Sequence, residues 1–255
     1  MKIHKLIAAL ALIVVLASCG HKKDKSESDL LIYSGAGLTD VITELRDSFQ
    51  LKYQVKVNLN LASSGTLARQ IEHGAEPDVY ISASMRWANY VAELGSVVDS
   101  MVQDVCYNDI VIIAPSNSKI DSITIDSTLD FHSLLQGQYL AIGNPDHVPV
   151  GKYAKESLVF YQKYDALKDQ LLMAKDTRSA LMVVEMAEAA LGIVYYTDAL
   201  RSKKVKIVAT LPEESHTKIR YVASLCKDEA LSRTFFDYIA SNEVDKIWTK
   251  HGFKN

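Results

Sequence analysis

Residues 55–71, Val55-Lys56-Val57-Asn58-Leu59-Asn60-Leu61-Ala62-Ser63-Ser64-Gly65-Thr66-Leu67-Ala68-Arg69-Gln70-Ile71, hold a complete strand–turn–helix unit. Val55, Val57, Leu59 and Leu61 alternate with Lys56, Asn58 and Asn60, the period of a strand with one buried face. Ala62-Ser63-Ser64-Gly65 supplies the turn, and Leu67, Ala68 and Ile71 mark the apolar face of a helix. The same order lies upstream. Leu30–Tyr33 is a buried strand entering the turn Ser34-Gly35-Ala36-Gly37, and Leu38, Val41, Ile42, Leu45 and Phe49 follow at helical spacing, with Thr39 or Asp40 as the cap. It recurs downstream, where Val79-Tyr80-Ile81 precedes a helix carrying Trp87, Tyr90, Val91 and Leu94. Repeated strand–turn–helix order predicts an α/β fold with mostly parallel sheets flanked by helices.

The pattern continues to the end of the chain. Strands are predicted at Ile110–Ala114, Tyr139–Ile142, Leu191–Tyr195, Val205–Ala209 and Tyr221–Leu225. Helices are predicted near Tyr153–Phe160, Arg178–Ala187, Glu229–Ile239 and Glu243–Lys250, while 115–137 reads as connecting surface. The 255 residues are 48% apolar and 23% charged, with a formal charge of −3. This is ordinary for a globular protein and argues against a disordered chain or a polytopic membrane protein. The absence of a basic block argues against a nucleic-acid partner.

The N-terminus reads as an address. Lys2 and Lys5 precede an apolar run of 12 residues, Leu6–Ala17, too short to span a bilayer but suited to a signal-peptide core. Leu16-Ala17-Ser18-Cys19-Gly20 resembles the lipobox of bacterial lipoproteins, which implies a signal peptide over 1–18 and lipidation of Cys19. The alternative is a plain secretory signal with an incidental cysteine. Residues 19–29 are polar and aperiodic, a flexible tether. Cys106 and Cys226 each lie beside a predicted strand. A disulfide is open to them in an oxidising compartment, but separate buried thiols are the favoured reading.

Catalytic and metal patterns are weak. The seven histidines are scattered without chelating spacing, and His147 reads as a hydrogen-bonded loop residue. Ser63-Ser64-Gly65 is not a nucleophile elbow, and Gly35-x-Gly37 lacks the rest of a dinucleotide fingerprint. The turns at Gly35–Leu38, Ser63–Thr66, Val150–Lys152 and Thr177–Ser179 each open a helix. Helix starts present unpaired N–H groups and partial positive charge, so several aimed at one point would bind an anion. Ordinary turns of an α/β protein would look the same.

Four motifs carry a resemblance. They are Ala62–Glu72, Pro77-Asp78-Val79-Tyr80-Ile81-Ser82-Ala83, Gly143-Asn144-Pro145-Asp146-His147-Val148-Pro149-Val150-Gly151-Lys152-Tyr153-Ala154, and Leu191-Gly192-Ile193-Val194-Tyr195 with Asp198-Ala199. Together they resemble the molybdate-binding proteins that deliver substrate to ABC importers. The resemblance spans about Leu30 to Phe253 and implies a two-lobed, type II periplasmic-binding-protein fold. Lobe 1 would comprise 30–108 and 222–255, and lobe 2 109–221. It implies a monomeric, lipid-anchored, extracytoplasmic binding protein rather than an enzyme, with a membrane permease as partner. The ligand would be molybdate or tungstate in the inter-lobe cleft, with no cofactor and no metal bound by side chains.

Carried over by motif, Ser64 gives a hydroxyl and an N–H, Val150 and Thr177 give backbone N–H groups, and Tyr195 gives its phenol. The family's serine in the first turn is replaced by Gly37, which keeps an N–H but no hydroxyl; Ser34 is a candidate to compensate. Three rivals remain: the same fold with another ligand, sulfate or a small organic anion; a lipid-anchored hydrolase using Ser64 with His147; and a structural or adhesive surface lipoprotein. No arginine or lysine occupies a mapped contact position, which argues against a carboxylate ligand, although Lys152 and Arg178 lie close by in the chain.

Overall fold

The computed structural model describes residues 29–254; the expected signal peptide and Cys19 lie outside the described residues. Ten strands form two five-stranded sheets. The first sheet holds β1 (Asp29–Gly35), β2 (Lys56–Ala62), β3 (Val79–Ser82) and β4 (Val102–Tyr107). The second holds β5 (Ile110–Pro115), β6 (Leu140–Gly143), β7 (Leu171–Ala174), β8 (Leu191–Tyr195) and β9 (Val205–Thr210). The chain then returns to the first sheet with β10 (Arg220–Leu225). It pairs from its first residue, Arg220 opposite Tyr107, two residues ahead of the expected start of the returning segment.

Both sheets have one topology. Their orders are β2-β1-β3-β10-β4 and β7-β6-β8-β5-β9. In each, the first three strands are parallel, and one strand, β10 or β5, runs against both neighbours. Four strands of five therefore point the same way, as the strand–turn–helix order predicts. The exception in each sheet is the strand that has just arrived from the other one, β5 after β4 and β10 after β9.

The helices are α1 (Thr39–Tyr53), α2 (Ser64–Glu72), α3 (Met85–Glu93), α4 (Phe131–Leu135), α5 (Pro149–Phe160), α6 (Thr177–Glu185), α7 (Tyr196–Arg201), α8 (Ala230–Ile239) and α9 (Asp245–Lys250). Helix α1 buries Val41, Ile42, Leu45 and Phe49, its expected apolar stripe. Neither Thr39 nor Asp40 caps it: the cap position is Leu38, and Thr39 Oγ1 donates instead to the Ala36 carbonyl at 2.7 Å. The segment 115–137 is not all connecting loop, since Asp130 accepts from the His132 and Ser133 N–H groups and starts α4. One apolar cluster runs through both halves, from Leu30, Ile32 and Phe49 to Ile110, Leu140 and Ile193.

Cys106 and Cys226 are free thiols. Cys106 pairs with Tyr221 near the start of β10, while Cys226 follows that strand's far end. Burial pushes the Cys226 thiol up to about 12 and Cys106 well above its ordinary value.

Candidate functional site

In each sheet the order 2-1-3 or 7-6-8 reverses the winding direction at the central strand. Ligands of open α/β sheets bind outside the carboxyl ends of strands at such a point. Four connections leave those ends here: β1 into Gly35-Ala36-Gly37, β2 into Ser63-Ser64, β6 into Val148-Pro149-Val150, and β7 into Asp176-Thr177. All four meet around one small cavity, with Ala83 and Tyr195 from the ends of β3 and β8 completing its wall. Gly37, Ser64, Val150, Thr177 and Tyr195, the five residues mapped from sequence, all line it.

Each wall is held by local chemistry. Ser63 caps α2, accepting from the Thr66 N–H at 3.2 Å. This puts Ser64 at the first helical position, where its N–H has no intrahelical partner. Ser64 Oγ accepts from the Ala83 N–H at 3.1 Å, so its own proton remains available. Pro149 opens α5 and Val150 follows it. Asp176 caps α6 by accepting from the Ser179 N–H at 2.7 Å, which leaves the Thr177 N–H facing the cavity end. The Tyr195 hydroxyl is buried and has no hydrogen-bond partner. Burial, helped by the neighbouring Tyr221 phenol, holds its pKa well above the ordinary tyrosine value, so it stays a donor.

No lysine, arginine or histidine lines the cavity, and its one acidic residue, Asp176, is turned to its capping role. Lys152 pairs with Glu156 at 3.2 Å along its own helix. Arg178 pairs with Asp40 and, at 3.0 Å, with Asp198. The two cations close in sequence are thus committed elsewhere. His147 contributes its carbonyl, accepting from the Gly65 N–H at 3.0 Å, and makes no bond to Ser64. Ser34 is buried and unpartnered but does not line the cavity. On β1 it shares a face with Ile32, turned into the core.

The cavity measures about 10 Å³, the room of a single water centre. Cross-lobe bonds close it. Besides Gly65 to His147, Tyr153 Oη donates to the Ala83 carbonyl at 3.0 Å. Gly65 must be glycine: a Cβ there would lie 2.5 Å from the His147 carbonyl oxygen and 2.6 Å from the Trp87 ring. At the rim, Asp40 of the first lobe forms ion pairs with Arg178 and Arg201 of the second. Sequence reading missed this clasp, because charges at 40, 178 and 201 carry no local signal of proximity. Buried Asp198 was also missed as a site element; it accepts from Thr177 Oγ1 at 2.8 Å. Its place in the Tyr195–Ala199 segment was the available hint.

Two sheets facing each other across a cleft lined by helix starts define a two-lobed solute-binding protein. The chain belongs to the bacterial extracellular solute-binding protein family, which it matches over residues 30–254. A relative from Escherichia coli (strain K12), named a molybdate-binding protein, is 40% identical over 229 residues, 89% of each chain. A putative ABC transporter substrate-binding lipoprotein of Bacillus subtilis (strain 168) is 32% identical over 256 residues, 97% of this chain and 96% of its own. Among solved structures, the periplasmic molybdate-binding protein of Azotobacter vinelandii superposes with a TM-score of 0.77. It covers 89% of this chain and 99% of that one at 18% identity, a likeness of fold.

Proposed function

We propose that the chain is the extracytoplasmic substrate-binding component of an ABC importer, taking molybdate or tungstate between its lobes and handing it to a membrane permease. The observation that carries this is the convergence of uncharged donors from both lobes on one cavity without a cationic side chain. The 40% identical relative named for molybdate supports the choice of ion.

The chemistry is binding without covalent change. The lobes part by hinge motion at the crossovers between β4 and β5 and between β9 and β10, admit a tetrahedral dianion, and close on it. Helix-start N–H groups and hydroxyls then act in a low dielectric, where each counts for more than in water. A lining of donors disfavours a protonated anion such as hydrogen phosphate, whose O–H would find no acceptor. Sulfate must be discriminated by size. Cys19 would carry the lipid that holds the protein at the membrane surface, a reading supported by the lipoprotein named among its relatives.

Thermal unfolding with molybdate, tungstate, sulfate and phosphate tests the reading. Ligand at about 100 times its dissociation constant adds about 2.7 kcal/mol to stability. The melting temperature is expected to rise with the first two ions only. No rise with either refutes the assignment, and a rise with sulfate alone reassigns the ligand.

A further inference from the structure

Gly37 brings no hydroxyl to the cavity, and Ser34 does not reach it. A Cβ built on Gly37 would lie 3.2 Å from Tyr195 Cδ2 and 3.3 Å from Tyr221 Oη. The place a side chain at 37 would fill is therefore faced by two phenols, of which only Tyr195 lines the cavity. Tyr221 is fully buried on the crossover strand β10. Asn108 Nδ2 donates to Tyr221 Oη at 3.3 Å and also to Thr197 Oγ1 at 2.9 Å. A lone pair of Oη is thus occupied by a donor, and no carboxylate or carbonyl among the described residues takes its proton.

We propose that Tyr221 is an oxyanion-binding residue of this chain, its hydroxyl donating across the gap left by Gly37. The inference rests on the oxyanion reading above and deepens it. A serine hydroxyl can rotate and serve as donor or acceptor. The Tyr221 hydroxyl has one orientation, because its ring is packed and Asn108 holds its oxygen as an acceptor. At this position the site offers only a proton, and so favours a fully deprotonated anion more strictly than a serine there would. Burial holds the Tyr221 pKa well above its ordinary value, so the proton is present at any working pH.

Calorimetric titration of wild type, Tyr221→Phe, Gly37→Ala and the double variant with tungstate and molybdate tests this. Tyr221→Phe keeps the ring but takes from Asn108 one of its two partners, so some loss of unliganded stability is expected and affinity is the readout. Binding is expected to weaken about tenfold for both ions, the size of a lost hydrogen bond to a charged group. Gly37→Ala sets a methyl group 3.3 Å from Oη, between it and the cavity, and should weaken binding similarly, with little further loss in the double variant. Wild-type affinity in Tyr221→Phe, or fully additive losses, overturns the proposal. If wild type itself binds neither ion, the oxyanion reading falls and this inference with it; binding by wild type separates the two failures.

Discussion

Ser64 works in three directions at once. Its carbonyl accepts from Tyr80 Oη at 2.8 Å, its Oγ accepts from the Ala83 N–H, and its hydroxyl proton remains for the cavity. Ser64→Ala removes a donor to a charged group, worth about 1.5–3 kcal/mol, so affinity for molybdate should fall about 10- to 100-fold. The same change orphans the Ala83 N–H and destabilises the unliganded protein by about 1–3 kcal/mol. The ligand-induced rise in melting temperature, rather than the melting temperature itself, is therefore the readout. An unchanged rise would place the anion elsewhere. The turn that holds Ser64 is legible in the sequence because a strand, a turn and a helix meet there within a few residues, while the choice of Ser64 within it comes from the family motif. Tyr221 could not, since its alternating neighbours say only that it sits in a buried strand, and its partner Gly37 lies at the other end of the chain.

At the scale of elements, the cavity proposed to hold the anion is bounded by helix starts, and most of them could be read from residues 30–80 and 140–195. What escaped was short. The strands β4 and β7 and the helices α4 and α7 have six residues or fewer, too few to establish a period. The cap expected at Thr39 or Asp40 failed for another reason: the turn at Ala36–Leu38 is already helical, so the helix begins before either residue can cap it. Helix α6 adds a titrating element. Behind its first residue, burial pushes the Asp198 carboxyl from 3.8 up to about 6, against the opposing pull of Arg178 and Thr177. The folded protein holds this proton to higher pH than the unfolded chain does. Its contribution to stability is full below pH 3.8 and is lost as pH rises through about 6. Asp198→Asn abolishes that loss, so the variant should gain stability relative to wild type between about pH 4 and pH 7. Urea unfolding at stepped pH measures it, and a difference that stays flat across the range would contradict the assignment.

For the whole molecule, the proposed function requires the lobes to close, and the Asp40 clasp bears on it directly. Asp40 joins Arg178 and Arg201 across the mouth of the cleft, with side chains only about a third exposed. Because they join the two lobes, these pairs are expected to break when the lobes part and so to favour the shut form. Asp40→Asn should lower affinity about two- to fivefold, the range of partly exposed pairs. It should also flatten the dependence of affinity on salt between about 0.02 M and about 0.5 M. Identical salt dependence in wild type and variant, read by calorimetry, would show that the clasp does not bias closure.

The position of β10 also governs how the molecule can be made. It lies between β3 and β4, so the first sheet stays in two pieces until residues 220–225 are in place. Every strand of the second sheet, all within 110–210, precedes them in the chain. The half encoded in the middle of the gene is thus the one whose sheet is a continuous stretch of sequence, while the half begun first waits for the tail of the chain.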